Sequence, residues 1–369
     1  MNEALLRIAL ACSLIGVWYS SDCNAQSIEE TLLMTRVSLG TPPHDPDGKL
    51  SRQDAVNAQD LTARQSASPE EVNGFTVSPT VRSSVVSFYE NVYLPVFTVP
   101  INWSGNPGTC DAGSTSQAYI DASFDLINYY RAMVELPPVV NDTSKNTSSQ
   151  EAALMMSVNN SLSHSPPDDW ECFSPEGDAA AGSSNLALGA AGPRAINLYI
   201  QDPGVYNTAV GHRRWILSPT RSSLGIGSVG GGTRDANSLW VFAGTTSRPA
   251  TDIVAWPPRG FVPYRLVYPR WSFSLNNAHN ANYSSATVSM YEKGVPVALN
   301  IVSSTANGYG DNTLVWEPSG LYFSSGQADR KFSIVISNIT NAGQSEYSYQ
   351  VTVIDPAMVP SEIFSDSFE

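Results

Sequence analysis

Apolar residues recur at helical spacing in the central third of the chain. One set falls on one face of a helix that ends before Pro137-Pro138: Ile120, Phe124, Ile127 and Tyr130. The run Ser148-Ser149-Gln150-Glu151 has the form of a capping box and predicts the start of a second helix. A third, short helix is predicted from Pro193 to Asp202. Strand-like runs follow at 224–229 and 238–243, so this part is predicted to be a layered mixture of helices and strands.

The pattern changes to period two from Ile253 to Ile354. Val288 and Met290 alternate with Thr287 and Ser289, and similar runs recur downstream between glycines. Short strands broken by turns over about 100 residues predict an all-β sandwich of immunoglobulin-like type.

The patterns divide the chain into segments of α+β class. Residues 26–117 are irregular and rich in proline, and they predict a lead-in that wraps the next domain. An α-and-β domain at 118–250 and a β-sandwich at 251–356 follow. Residues 357–369 form an acidic, aromatic tail.

The net charge of the chain limits the classes of molecule that it can bind. The chain has 369 residues, 42% of them hydrophobic, and a formal net charge of −14. That charge disfavours nucleic acid and anionic membrane surfaces, because both would repel the protein.

The first 25 residues resemble a secretory signal. Arg7 precedes an apolar run from Ile8 to Tyr19, and small residues lead up to Ala25. The run is too short to cross a bilayer comfortably, and no later segment is apolar enough to do so. We therefore expect an exported protein without a membrane span.

Removal of the signal leaves two of the four cysteines, Cys110 and Cys172. Two cysteines in an oxidising compartment allow a single pairing, so a Cys110–Cys172 disulfide is predicted. Closing a loop of ~60 residues is worth ~4 kcal/mol on the chain-entropy model.

Two of the four histidines have surroundings suited to chemistry. His212 follows a glycine and precedes Arg213-Arg214-Trp215, while His164 lies just beyond a helical pattern, in Leu162-Ser163-His164-Ser165. The imidazole ring titrates near neutral pH and is a common metal ligand. These histidines are the first candidates for a functional site.

Several short motifs, in order, resemble the CAP superfamily of cysteine-rich secretory, antigen-5 and pathogenesis-related proteins, in particular its bacterial branch. They are Asn128-Tyr129-Tyr130-Arg131-Ala132, Pro137-Pro138-Val139, Leu162-Ser163-His164-Ser165, Ser184-Asn185-Leu186-Ala187, Gly211-His212-Arg213-Arg214-Trp215-Ile216-Leu217-Ser218-Pro219 and Leu224-Gly225-Ile226-Gly227. The resemblance implies an α-β-α sandwich with a central antiparallel sheet and a cleft bearing two histidines.

The resemblance also implies which side chains line that cleft. Members with a full site carry two glutamates beside the histidines, and here Ser184 and Asp202 stand at those positions. A hydroxyl is no general base near neutral pH, and an aspartate reaches less far than a glutamate. Arg213 is added as a candidate for binding an anionic ligand.

The leading hypothesis is an extracellular binding module whose ligand is a protein, a lipid or a carbohydrate. The alternative is an extracellular zinc-dependent hydrolase of peptide or cell-wall material, with zinc or another divalent cation held by His164 and His212. The replaced glutamates favour binding over catalysis, so no catalytic residue is assigned. A third hypothesis, a tethered surface component, rests on the tail alone.

Overall fold

The computed structural model describes residues 37–45, 75–231, 234–305 and 308–358. The predicted signal segment and most of the C-terminal tail lie outside these ranges. So does most of the first half of the lead-in.

A five-stranded sheet forms the middle layer of the central part, with strand order β1-β3-β5-β4-β2. Its strands are β1 (Ser38–Leu39), β2 (Val140–Asn141), β3 (Ser184–Leu188), β4 (Ser223–Val229) and β5 (Ala236–Trp240). Strands β3, β5 and β4 pair antiparallel, and the lead-in adds β1 antiparallel at the β3 edge. The central antiparallel sheet implied by the motifs is therefore present.

Helices cover both faces of this sheet. The described residues contain α1 (Arg82–Phe88), α2 (Gln117–Met133), α3 (Thr143–Val158), α4 (Pro175–Gly182), α5 (Gly192–Gln201) and α6 (Gly211–Ile216). Alanines of α3 and α4 pack with Leu186, Leu188 and Val229 on one face. On the other face, Tyr199 of α5 donates to the Asn185 carbonyl. The α+β class and the three layers are as predicted.

Two local predictions need correction or completion. The capping box at 148–151 is wrong, because α3 begins five residues earlier, where the Asp142 carboxylate accepts from the Ser144 amide. The polar residues of the first turn carry no apolar periodicity, which hides the true start. The aromatic and β-branched residues at 85–99 predict either a strand or a short helix. The structure shows that they are helical and continue α1 through Tyr89–Tyr93 and Pro95–Thr98.

The glycines of Leu224-Gly225-Ile226-Gly227 have a packing role. A β-carbon on Gly227 would overlap backbone atoms of Ser149 and Gln150 in α3. Alternation along β4 turns Gly225 to the same helix, where a β-carbon would meet the Lys145 side chain. The helix lies directly on the strand because both side chains are missing.

The C-terminal part consists of two sheets. One has the order β10-β9-β13-β14-β7 and the other β11-β12-β8-β6. Their strands are β6 (Ile253–Trp256), β7 (Gly260–Pro263), β8 (Trp271–Leu275), β9 (Thr287–Glu292), β10 (Val295–Pro296), β11 (Leu299–Ser303), β12 (Leu314–Pro318), β13 (Arg330–Ser337) and β14 (Tyr347–Ile354). Trp271 meets Phe332 across the sheets with ring centroids 5.9 Å apart. An all-β, sandwich-like region is confirmed.

Buried polar contacts join the central part to the C-terminal sheets. The Tyr130 hydroxyl lies 3.0 Å from that of Tyr268, and both contact the side-chain oxygen of Asn197. Burial raises the pKa of Tyr130 well above its usual value, so the hydroxyl remains a donor. The Tyr130 ring also packs edge-on against Trp256 at 5.0 Å.

The predicted disulfide is present. Cys110 and Cys172 are bonded across a sequence separation of 62 residues. The bond ties the segment before α2 to the loop that follows His164, as the sequence predicts.

Candidate ligand-binding groove

The Gly-His motif begins a short buried helix. Helix α6 starts after Val210, which has a φ of 47°, in the left-handed region that β-branched residues rarely adopt. Asp202, at the end of α5, is also left-handed, with a φ of 51°. These two turns return the chain so that Asp202 meets the first turn of α6. Unusual backbone of this kind concentrates at functional sites.

Asp202 and His212 form a buried pair. The Asp202 carboxylate accepts from His212 Nδ1 at 2.8 Å and from the His212 backbone amide at 2.9 Å. The carboxylate also lies 3.4 Å from the Arg213 amide nitrogen. The side chains of Asp202 and His212 are both fully buried. A carboxylate accepts only, so a hydrogen lies on Nδ1, and in the neutral imidazole Nε2 is the nitrogen that carries the lone pair. Within the described residues, Nε2 is buried and has no hydrogen-bond partner.

Two further residues, which sequence reasoning did not single out, fix the His212 segment. The Asn185 side chain donates to the His212 carbonyl at 3.1 Å. The Tyr199 ring stacks on the imidazole with centroids 5.6 Å apart. Burial raises the pKa of Tyr199 well above its usual value and keeps its hydroxyl a donor. Asn185 stands inside a recognised motif, so a closer reading of that motif could have included it.

Ser184 lies on the opposite face of β3 from Asn185. Side chains alternate along a strand, and Leu186 and Leu188 pack with α3 and α4, so Ser184 shares their face. Its hydroxyl is buried and, among the described residues, has no hydrogen-bond partner. The resemblance implies a place beside the histidines for Ser184, but in the structure the neighbouring Asn185 makes the contact with His212.

His164 is held by two main-chain carbonyls. Its Nδ1 lies 2.6 Å from the Ala181 oxygen, at the end of α4, and its Nε2 lies 2.6 Å from the Thr41 oxygen. A neutral imidazole has one N–H, so only the imidazolium form donates to both carbonyls. In the structure, each ring nitrogen of His164 thus has a main-chain oxygen of the protein as its partner.

Arg213 turns away from the histidines and into the C-terminal sheets. The guanidinium donates to the Ile200 carbonyl at 2.6 Å, to the Arg270 carbonyl at 2.9 Å and to the Ser272 hydroxyl at 3.0 Å. Burial lowers its pKa to about 10, with Asp202 acting in the other direction, so it stays charged at neutral pH. The residue is 1% exposed. Arg213 was predicted to bind an anionic ligand, but in the structure it connects the central part to the C-terminal part by hydrogen bonds.

The described lead-in segment links the two histidine regions. Thr41 contacts His164, and the next residue, Pro42, lies against Gly211. The Pro43 carbonyl accepts from the indole N–H of Trp215 at 2.8 Å. We call the contact surface formed by His164, Gly211 and Trp215, with Tyr309 beside Gly211, the groove; residues 41–43 lie against it.

The donor set of His164, His212 and Asp202 does not fit a three-ligand zinc site. His164 faces carbonyl oxygens with both nitrogens, and the oxygens of Asp202 already accept from α6. In the part of the chain that the structure describes, no three His, Cys, Asp or Glu side chains cluster closely enough to hold an ion. Of the ring nitrogens and carboxylate oxygens in this set, His212 Nε2 is the one without a hydrogen-bond partner among the described residues.

Fold and site together define a three-layer α-β-α domain with a buried His–Asp pair beside a groove. Residues 124–243 match the cysteine-rich secretory protein family (CAP), about a third of the chain. This match supports the resemblance to the CAP superfamily over that segment of the chain. A search of curated proteins finds no match. No helix in the described ranges is long and apolar enough to cross a membrane.

Proposed function

We propose that the protein is an extracellular binding module whose CAP-like part takes up its ligand in the groove, without hydrolysing it. Three features support this proposal. The similarity is to a family named for secretion. The Cys110–Cys172 bond is of the kind that persists in oxidising compartments. The predicted signal segment would direct export.

The observation that carries the proposal is the commitment of the catalytic-type side chains to the protein itself. A hydrolase of the suggested kind needs a carboxylate free to accept a proton or to hold a metal. The Asp202 carboxylate accepts three hydrogen atoms from the first turn of α6. With that carboxylate committed to the fold, the site supports binding better than hydrolysis.

Metal analysis tests this proposal. Protein purified without chelator, together with His164→Ala and His212→Ala, is expected to contain no stoichiometric zinc and to leave peptide and cell-wall substrates uncleaved. His279→Ala is the matched control, because His279 is exposed. One zinc per chain in the wild type, lost in His164→Ala and His212→Ala but kept in His279→Ala, would overturn the proposal.

The second candidate is an extracellular hydrolase. The observation that favours it is the fixed tautomer of His212, because a carboxylate behind the imidazole leaves Nε2 as a proton acceptor. This candidate predicts turnover that His212→Ala abolishes and His279→Ala preserves. Absence of turnover across peptide and peptidoglycan substrates would count against it.

A further inference from the structure

We infer that the groove is a binding site for an extended, proline-containing peptide segment, and that the chain's own residues 41–43 occupy it in competition with such a ligand. The inference deepens the proposed function and rests on it. The occupying segment, from Gly40 to Asp45, is called the strap below.

The strap is held along its length by side chains and backbone of other elements. Its carbonyls at Thr41 and Pro43 accept from the His164 ring and the Trp215 indole, at 2.6 and 2.8 Å. Further along, the Asp45 amide donates to the Gly308 carbonyl at 3.0 Å. Pro42, Pro43 and Asp45 are buried. The strap is therefore a seated ligand-like segment and not a loose connection.

The contacts select for proline. Carbonyls two residues apart meet ring N–H donors, and the intervening Pro42 ring lies against Gly211. Neither proline has an amide hydrogen to leave unsatisfied, and each disfavours helical backbone in the residue before it. Extended proline segments are recognised elsewhere in this way, by aromatic walls and side-chain donors acting on carbonyls.

Gly211 is the residue that makes room for the ring. A β-carbon at position 211 would overlap Pro42 on one side and Tyr309 on the other. The groove therefore lies between α6 and the loop that carries Tyr309 in the C-terminal part. Ligand sites form preferentially where two parts of a protein meet.

An occupied groove makes binding conditional. A tethered segment competes at an effective concentration on the order of mM. If the strap itself binds with an intrinsic Kd of ~0.1 mM, the apparent binding of a free peptide is weakened roughly tenfold. A better-fitting external segment would displace the strap. The strap thus sets a threshold for the ligand.

The test uses the full chain and a fluorescein-labelled peptide with the sequence of residues 38–45, followed by fluorescence anisotropy. The variant Pro42→Ser with Pro43→Ser weakens the strap, and Pro137→Ser with Pro138→Ser is the matched control at a proline pair outside the groove. We expect the strap variant to bind the peptide more tightly than the wild type and the control, by up to roughly tenfold. The same peptide with both prolines replaced by serine should not bind. Equal binding by wild type and strap variant, or no binding by either, overturns the inference.

A second variant keeps the inference testable if the strap variant folds poorly. Gly211→Ala expels the proline ring whether it comes from the strap or from the peptide. It should therefore increase hydrogen exchange at residues 38–45 while the labelled peptide fails to bind. Unchanged exchange at these residues, or tight peptide binding by Gly211→Ala, contradicts the inference. Zinc lost from both histidine variants would instead contradict the proposed function, so the two failures are distinguishable.

Discussion

At the residue scale, Asp202 decides what the Gly-His motif can do. Its carboxylate fixes the tautomer of His212 and satisfies amides at the start of a helix that has no other cap among the described side chains. The motif therefore depends on a residue ten positions upstream. A tertiary contact, and not the motif alone, gives the histidine its chemistry.

Asp202→Asn should lower the free energy of unfolding by about 2 kcal/mol. The amide keeps one oxygen but places a donor against an N–H, and hydrogen bonds to a charged acceptor contribute about 1.5–3 kcal/mol. Urea denaturation provides the measurement. The control Asp169→Asn, at an exposed carboxylate, should change stability by less than about 0.5 kcal/mol. Equal effects in the two variants would mean that the buried pair contributes nothing to stability.

Gly227→Ala should destabilise the protein by about 3 kcal/mol, because the new methyl group meets helix backbone that cannot rotate away. The comparison is Gly343→Ala, at a position where a β-carbon meets nothing within 4 Å. Thermal unfolding of both variants measures the difference. A well-folded Gly227→Ala with wild-type Tm would show that α3 can lift from β4 at little cost.

At the scale of elements, the disulfide and the strand pairings stabilise the parts that carry the groove. The Cys110–Cys172 bond was predictable because only two cysteines follow the predicted signal segment. Replacing both with serine should lower stability by ~4 kcal/mol on the chain-entropy estimate for a 62-residue separation. Urea midpoints with and without reductant measure it, and reductant should have no effect on the variant. A reductant-sensitive variant would contradict this assignment.

The β9–β13 pairing carries a pH-dependent contribution. Glu292 accepts from Arg330 at 2.7 and 2.8 Å, and this contact lowers the pKa of the Glu292 carboxyl. A lowered folded-state pKa gives stability that is present above about pH 4.3 and lost as the pH falls through the folded value. Glu292→Gln should therefore cost up to about 1 kcal/mol at pH 7 and nothing near pH 2. A cost that is equal at both pH values would show that packing, not charge, is responsible.

At the scale of the whole molecule, the central part and the C-terminal sheets share a buried polar joint. Arg213 spans it with hydrogen bonds to Ile200, Arg270 and Ser272, and the Tyr130–Tyr268–Asn197 cluster adds to it. The segment boundaries at 118–250 and 251–356 remain a prediction from sequence. The buried polar contacts between the two segments nevertheless indicate that they depend on each other for stability.

Arg213→Lys should lower stability by about 3 kcal/mol, because lysine cannot reproduce the planar set of donors and leaves buried carbonyls unsatisfied. Wild-type protein should unfold in one calorimetric transition whose van't Hoff and calorimetric enthalpies agree. Lys331→Arg, at an exposed position, is the control for a charge-conserving exchange. Two separate transitions in the wild type would contradict the coupling.

The sequence by itself determined the class of fold, the disulfide and the CAP-like motifs, because periodicity, cysteine number and residue order are local properties of the chain. It also placed His212 and Asp202 among the site residues. Only the tertiary structure decided the rest. Because side chains alternate along β3, Asn185 and not Ser184 contacts His212. Arg213 is buried and connects the central part to the C-terminal part. The strap entered the groove through contacts with His164, Trp215 and Gly308, which lie about 120 to 270 positions away in sequence. Contacts between residues so far apart in sequence produce no periodic pattern along the chain, so they could not be predicted from local sequence.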